Sequence, residues 1–294
     1  RMLADEIQLL RSFNRVVTER IGVLDEEYLA RGRPLGASRV LWEIGPAGCD
    51  VRTLRTRLGL DSGYLSRLLR GLEQEGLVAV ERDAGDRRVR VARRTPAGEA
   101  EACELDRLSD DLARALLAPL DERRRRQLLE AASTVQRLLT AGMVEIVVAD
   151  AGSDDARRCI EAYYAELDVR FDAGFDPALS RFGDVAEYAE PAGLLMLARL
   201  RGEAVACGGL KFTSPEATEI KRMWVSPAAR GMGVGRRLLA ALEDEARRRG
   251  ADRVRLDTNH NLTEAITLYR ASGYTEVAAF NDERYADHWF EKQL

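Results

Sequence analysis

The chain has 294 residues with 45 basic and 49 acidic side chains, a formal net charge of −4. That length fits two domains with real cores, and so weak a charge excludes a chain that coats nucleic acid over its whole surface. No apolar run reaches membrane-spanning length and no secretory signal opens the chain, and Cys49, Cys103, Cys159 and Cys207 form no Cys-x-x-Cys pair; a cytoplasmic protein without disulfides, structural metal or membrane contact is expected.

In chain order, residues 2–31 carry a helical apolar pattern (Leu3, Ile7, Leu10, Asn14, Val17, Ile21). Residues 98–140 carry another, broken at Pro119. Neither closes a core alone, so both are expected to pack on a second copy of the chain. Between them the charge turns locally basic, with 11 Arg against 6 acidic residues over 51–95. A basic patch on an acidic protein fits a focused DNA contact. Val51 to Leu58 reads as a short helix, Leu58-Gly59-Leu60 as a turn, and a second helix, capped by Asp61 or Ser62, runs to Glu75 before Gly76. Leu65, Leu68, Leu69 and Leu72 make its apolar stripe. Ser62, at its start, and Gly63, Ser66, Arg67 and Arg70, on the opposite face, are the small, hydroxylic and cationic types that a helix entering a major groove needs. Val78 to Arg82 and Arg87 to Val91 read as a hairpin joined by Asp83-Ala84-Gly85-Asp86, with Arg87, Arg88 and Arg90 on its return arm.

A turn-helix followed by an Arg-tipped hairpin is a winged helix-turn-helix. This half resembles the MarR family of transcription regulators in Leu54 to Leu60, Tyr64 to Leu68, Leu72 to Val78, the Asp86-x-Arg88 pair and Thr95-Pro96-Ala97-Gly98. The resemblance implies a homodimer through the N-terminal half on a pseudo-palindromic operator in double-stranded DNA, with Arg88, steadied by Asp86, in the minor groove. Arg94 departs from the family, which usually has Leu before the Thr.

After a short linker near 140–143, Val144 to Ala149 reads as strand and Asp154 to Leu167 as helix. Leu194 to Leu200 and Val205 to Phe212 form a hairpin, followed by a strand over Glu219 to Val225 and a helix from Val234 to Gly250. Arg253 to Leu256, a helix over Leu262 to Ser272, Tyr274 to Phe280 and His288 to Lys292 complete a mixed αβ sheet. Arg230-Gly231-Met232-Gly233-Val234-Gly235 lies between a strand and a helix. Small residues there let backbone N–H groups close on a phosphate, and the spacing is neither that of a Rossmann loop nor that of a P-loop.

This order and the Arg-x-x-Gly-x-Gly run resemble the GNAT acetyltransferase superfamily. The fold class implied is multidomain: a helix-rich winged helix-turn-helix over 1–141, then an α+β GNAT acyltransferase fold over 143–294. The resemblance implies acetyl-CoA as co-substrate, its pyrophosphate held by Arg230, Gly231, Met232, Gly233, Val234, Gly235 and Arg236. Its pantetheine would meet Met223, Trp224 and Val225, with Asn261, or alternatively Asn259, touching the same chain. Tyr269 is implied as the general acid and Glu219 as a base acting through water. Strand alternation is expected to place Glu219, Lys221, Met223 and Val225 on one face. Arg170, Phe171 and Phe175 suit a small amine that carries a carboxylate, and His288 is the histidine better placed to line an acceptor pocket. The expected function is a bifunctional transcription regulator and N-acetyltransferase of a small-molecule amine. The alternatives are a regulator whose second half only senses acetyl-CoA or an amine, and an acetyltransferase of proteins.

Overall fold

The N-terminal helices and wing form one unit and the mixed sheet another in the computed structural model, which describes residues 2–22, 28–83, 85–86, 88–179, 185–212 and 217–294. The chain divides into Arg1–Ala132 and Ser133–Leu294. The first unit contains α1 (Met2–Arg20), α2 (Leu35–Ile44), β1 (Cys49–Asp50), α3 (Val51–Leu58), α4 (Ser62–Gln74), β2 (Val78–Arg82), β3 (Arg90–Arg94) and α5 (Pro96–Leu117); α6 (Glu122–Gly142) crosses the division. The expected linker at 140–143 is therefore mostly the last turn of α6. Helix α2 and the short strand β1 lie between the expected elements.

Asp50 and Asp61 start α3 and α4 by accepting from the amides of Thr53 and Tyr64, each at 2.8 Å. The stripe on α4 buries Leu65, Leu69 and Leu72 against Leu41, Leu54 and Leu105, with Leu68 at the margin. Thr95 accepts from Gly98 N at 3.0 Å with Pro96 at the first helical position. A Cβ at Gly98 would stand 1.9 Å from the Leu77 carbonyl oxygen, so only glycine lets α5 pass the end of the wing. Arg94 donates to the carbonyls of Leu41 and Trp42 at 2.9 and 2.7 Å, satisfying the C-terminus of α2 where the family's usual Leu would make no such bond. On α1, Leu3, Ile7 and Leu10 are 68%, 50% and 52% exposed, so the helix's apolar residues are not spent within one chain.

The wing departs from its expected register. The return strand is Arg90–Arg94, with Arg82 opposite Arg90, so Arg88 sits in the hairpin loop and not on the return strand. Asp83 draws out that loop by accepting from the amides of Gly85 and Asp86 at 2.8 and 3.1 Å. Arg87 lies outside the described residues.

The second unit holds β4 (Val144–Ala149), α7 (Asp154–Arg170), β5 (Gly193–Leu200), β6 (Glu203–Phe212), β7 (Ala217–Val225), α8 (Val234–Arg248), β8 (Arg253–Thr258), α9 (Thr263–Ala271), β9 (Thr275–Val277) and β10 (His288–Gln293). The sheet order is β4-β5-β6-β7-β8-β10-β9, and among the described residues only β7 and β8 run parallel. The strand expected over 274–280 is only three residues long. Helix α8 buries Leu238, Leu239, Leu242 and Ala246 on one face of the sheet against Met196, Ala206, Ile220 and Val254. On the opposite face Cys159 of α7 packs with Leu195, Leu197 and Cys207. Among the described residues no helix is long and apolar enough to cross a membrane.

Candidate active site and nucleic-acid interface

β7 and β8 stay paired only through Ala217↔Arg253, Thr218↔Val254 and Glu219↔Arg255. Beyond that the strands part and a cleft of about 500 Å³ opens. Met223, Trp224 and Val225 line one wall, and Gly231 with Gly233 to Arg236 line its end. Gly231 and Gly233 have φ of +75° and +73°, and Gly233 caps α8. The left-handed turn aims the unpaired first amides of a fifteen-residue helix into the cleft. A Cβ at Gly233 would meet nothing within 4 Å, so the cradle is open to a ligand. Backbone amides at the start of a helix give this end a positive character.

Arg230 lines the cleft, whereas Met232 and Asn261 do not. Arg230 donates Nε to the Val225 carbonyl at 3.0 Å and NH2 to Glu166 at 2.5 Å, so its guanidinium is built into the wall. Met232 packs its side chain on the core. Asn261 lines neither cavity; its carbonyl accepts from Arg170 at 2.7 Å and its amide donates to Asn259 at 3.0 Å. Asn259 lines the second cavity instead. Glu166 was not foreseen. It gathers Trp224 Nε1 at 2.9 Å, Arg230 and Arg170; burial works against its charge, but these hydrogen bonds hold its carboxyl below the ordinary range.

The alternation expected along β7 fails at Arg222, whose φ is +58°. The β6–β7 register shifts there, between Cys207 and Gly209, as in a bulge. Met223 and Val225 therefore join Ile220 on the α8 face, while Trp224 packs on the α7 face. Arg222, buried, stacks on Tyr164 at 4.7 Å.

A second, smaller cavity of about 80 Å³ adjoins the cleft. Tyr163, Leu167, Met223, Leu262, Ala265 and Tyr269 line both. Two phenols thus stand at the junction, both pushed up by burial. Tyr269 is 5% exposed and also packs on Tyr274 and Phe290, so it serves the core and the junction together. Among the described residues its hydroxyl makes no hydrogen bond. Phe171, Phe175 and Tyr285 form an aromatic cluster in the small cavity, with Phe175 and Tyr285 4.9 Å apart.

Other expected acceptor and base residues fall elsewhere. Arg170 lines the large cleft, where it bonds Glu264 at 2.7 Å and Glu166 at 3.2 Å; it does not reach the small cavity as a carboxylate reader. His288 lines neither cavity and pairs with Glu276 at 2.6 Å. Glu219 is 8% exposed, lines neither cavity, and lies 3.0 Å from Lys221 Nζ. Lys221, Asp257 and Glu283 line the small cavity and were not singled out. Among the described residues no cluster of His, Cys, Asp and Glu has a metal-holding arrangement.

In the first unit Ser62, Gly63, Arg67 and Arg70 are exposed and Ser66 is half-buried on α4. Ser62 and Ser66 line a groove of about 550 Å³ with Arg52, Arg55, Arg88 and Arg90. The Asp86 carboxylate accepts from the Arg88 amide at 2.9 Å, fixing the loop backbone and leaving the Arg88 side chain exposed. Arg52 and Arg55 went unremarked individually; the local excess of Arg was their only signal.

The model of the acetyltransferase (GNAT) family matches residues 157–274, and that of the MarR family matches 32–89. An IAA acetyltransferase of Azospirillum brasilense is 39% identical over 98 residues, 33% of this chain and 64% of its own. The N-acetyltransferase YjgM of Escherichia coli is 31% identical, over 41% of this chain and 74% of its own. The N-alpha-acetyltransferase RimI of Mycobacterium tuberculosis is 32% identical, over 47% and 84%. The chain thus spans just under two thirds of the first relative and more of the other two.

Proposed function

We propose that this chain, which belongs to the GNAT family of acetyltransferases and carries a MarR-family domain ahead of that fold, is a DNA-binding regulator that transfers the acetyl group of acetyl-CoA to a small-molecule primary amine. The observation that carries the reading is the junction at Tyr269. One cleft suits a long phosphorylated thioester, the other suits a small acceptor, and they share a wall with a partnerless phenol. A cavity of about 80 Å³ favours a small molecule over a peptide.

In this reading the amides opening α8 hold the diphosphate, and Met223 and Trp224, beyond the bulge at Arg222, face the pantetheine arm. The Val225 carbonyl is already taken by Arg230, which leaves the Val225 amide for that role. The neutral amine attacks the thioester carbonyl directly. The C–N bond forms, the C–S bond breaks, Tyr269 gives its proton to the departing thiolate, and the proton shed by the new amide nitrogen returns to the Tyr269 phenolate. Burial suits that role, because a phenol kept protonated stays available as an acid. Glu219 reaches the acceptor only through Lys221 and water.

For the N-terminal half, α4 enters a major groove with Ser62, Gly63, Ser66, Arg67 and Arg70, and Arg88 reaches the neighbouring minor groove. The exposed apolar residues of α1 support assembly through this half into a dimer on a pseudo-palindromic site. The test is to incubate the protein with acetyl-CoA and a panel of small amines and identify products by mass. N-acetylation of one amine class is expected; a panel that stays unmodified while acetyl-CoA binds would overturn the transfer reading.

A further inference from the structure

Lys221 and Asp257 meet where β7 and β8 part. The last paired residues are Glu219 and Arg255, and two positions further on the Lys221 ammonium bonds the Asp257 carboxylate across the gap. Asn281 fixes that carboxylate from behind. Its Oδ1 accepts from Trp289 Nε1 at 2.8 Å, which orients its Nδ2 to donate to Asp257 Oδ2 at 2.9 Å. Lys221 also has Glu219 Oε2 at 3.0 Å. Two carboxylates thus share one ammonium, and of the two only Asp257 lines the small cavity. Arg222 and Glu283 line that cavity too, with Arg222 turned to the tyrosines of α7 and Tyr188.

An amine arrives in water as an ammonium ion, and moving it into a small aromatic cavity is costly without an anion beside it. Asp257 is that anion: prepositioned, incompletely neutralised by a shared lysine, and on the lining that reaches Tyr269. Its charge also adds to burial in raising the Tyr269 phenol.

We propose that Asp257 is the docking carboxylate for the acceptor's ammonium group, so that the cavity selects small primary amines that bind as cations and release their proton to solvent before attack. This rests on the acetyl-transfer reading and adds the residue that recognises the acceptor. The role differs from that of a base on Glu219, because Asp257 touches the substrate and Glu219 does not.

The test is titration of the CoA-loaded full-length protein with ethylamine, ethanolamine and glycinamide, alongside initial rates with acetyl-CoA. Asp257→Asn keeps the shape and removes the charge. Amine affinity is expected to fall about 10- to 100-fold, the loss of one charge-assisted hydrogen bond, with the KM for acetyl-CoA unchanged. Lys221→Met and the Lys221→Met/Asp257→Asn double variant separate docking from simple neutralisation of Lys221. A docking role leaves the double variant as weak for amines as Asp257→Asn; a purely structural pair would restore it. Unchanged amine affinity in a folded Asp257→Asn protein overturns the proposal and leaves acetyl transfer standing. Binding of none of the three amines by the wild-type protein overturns the proposal outright, and absence of turnover with every amine removes the reading beneath it.

Discussion

The Arg33 guanidinium lies 2.5 Å from the Glu101 carboxylate, with both side chains buried. Arg33 also bonds Glu75 at 2.8 Å, and Arg31 bonds the other oxygen of Glu101 at 2.5 Å. The network ties the C-terminal end of α4 to α5. Hydrogen bonds from Arg31 and Arg33 outweigh burial and hold the Glu101 carboxyl at about 2, against an ordinary 4.5. A depressed carboxyl stabilises the fold above its unfolded value, so this contribution is complete above about pH 4.5 and lost as the pH falls toward 2. It is worth about 3 kcal/mol. Arg33→Ala, which leaves Glu101 to Arg31 alone and Glu75 without this partner, is expected to destabilise the first unit by about 1–2 kcal/mol at pH 7 and to flatten its loss of stability in acid. Urea unfolding at pH 7 and pH 3 checks both; equal stability of variant and wild type at pH 7 would refute the role of the pair.

DNA affinity divides by residue. Arg67→Ala or Arg70→Ala is expected to weaken binding to a cognate operator by about 1–3 kcal/mol, with little change on random duplex. Arg88→Ala is expected to weaken binding and to reduce the slope of log affinity against log salt by about one. Anisotropy titrations at several salt concentrations, on an operator selected from random sequence, separate the two patterns. Unchanged isotherms for all three variants would remove α4 and the wing loop from the interface.

Gly233 is open to the cleft and has φ of +73°. Gly233→Val adds a branched side chain to a conformation that costs an L-residue about 1–2 kcal/mol and projects it into the end of the cleft proposed for the diphosphate. The KM for acetyl-CoA is expected to rise about tenfold or more, with the acceptor KM much less affected. Initial-rate kinetics with each substrate varied decide it, and an unaltered acetyl-CoA KM would take the diphosphate off this loop.

The glycine loop, the α3–turn–α4 unit and the order of strands were legible because each rests on local chemistry: positive φ at Gly231 and Gly233, capping by Asp50 and Asp61, and the Leu stripe of α4. The wing's register was less so, since Asp83 and Asp86 both fold their carboxylates onto loop amides and move the return strand on to Arg90. Nothing in Lys221-Arg222-Met223-Trp224 marks a bulge, and the face assignments beyond it were inverted. Arg170 and His288 were read as acceptor contacts because their carboxylate partners Glu264 and Glu276 come from other elements. Asp257 escaped notice for the converse reason. It is one acidic residue in an amphipathic strand until the parting of β7 and β8 sets it across from Lys221.

Release of CoA thiol by three proteins decides whether Tyr269 is the acid at the meeting of the two cavities. Wild type, Tyr269→Phe and Tyr163→Phe would be assayed with acetyl-CoA varied and the accepted amine at saturation. Tyr269→Phe is expected to lower kcat by about 10²–10⁴ with the KM for acetyl-CoA little changed, while Tyr163→Phe keeps most of the rate. Undiminished turnover by Tyr269→Phe, or a comparable loss confined to Tyr163→Phe, would remove Tyr269 from the acid role.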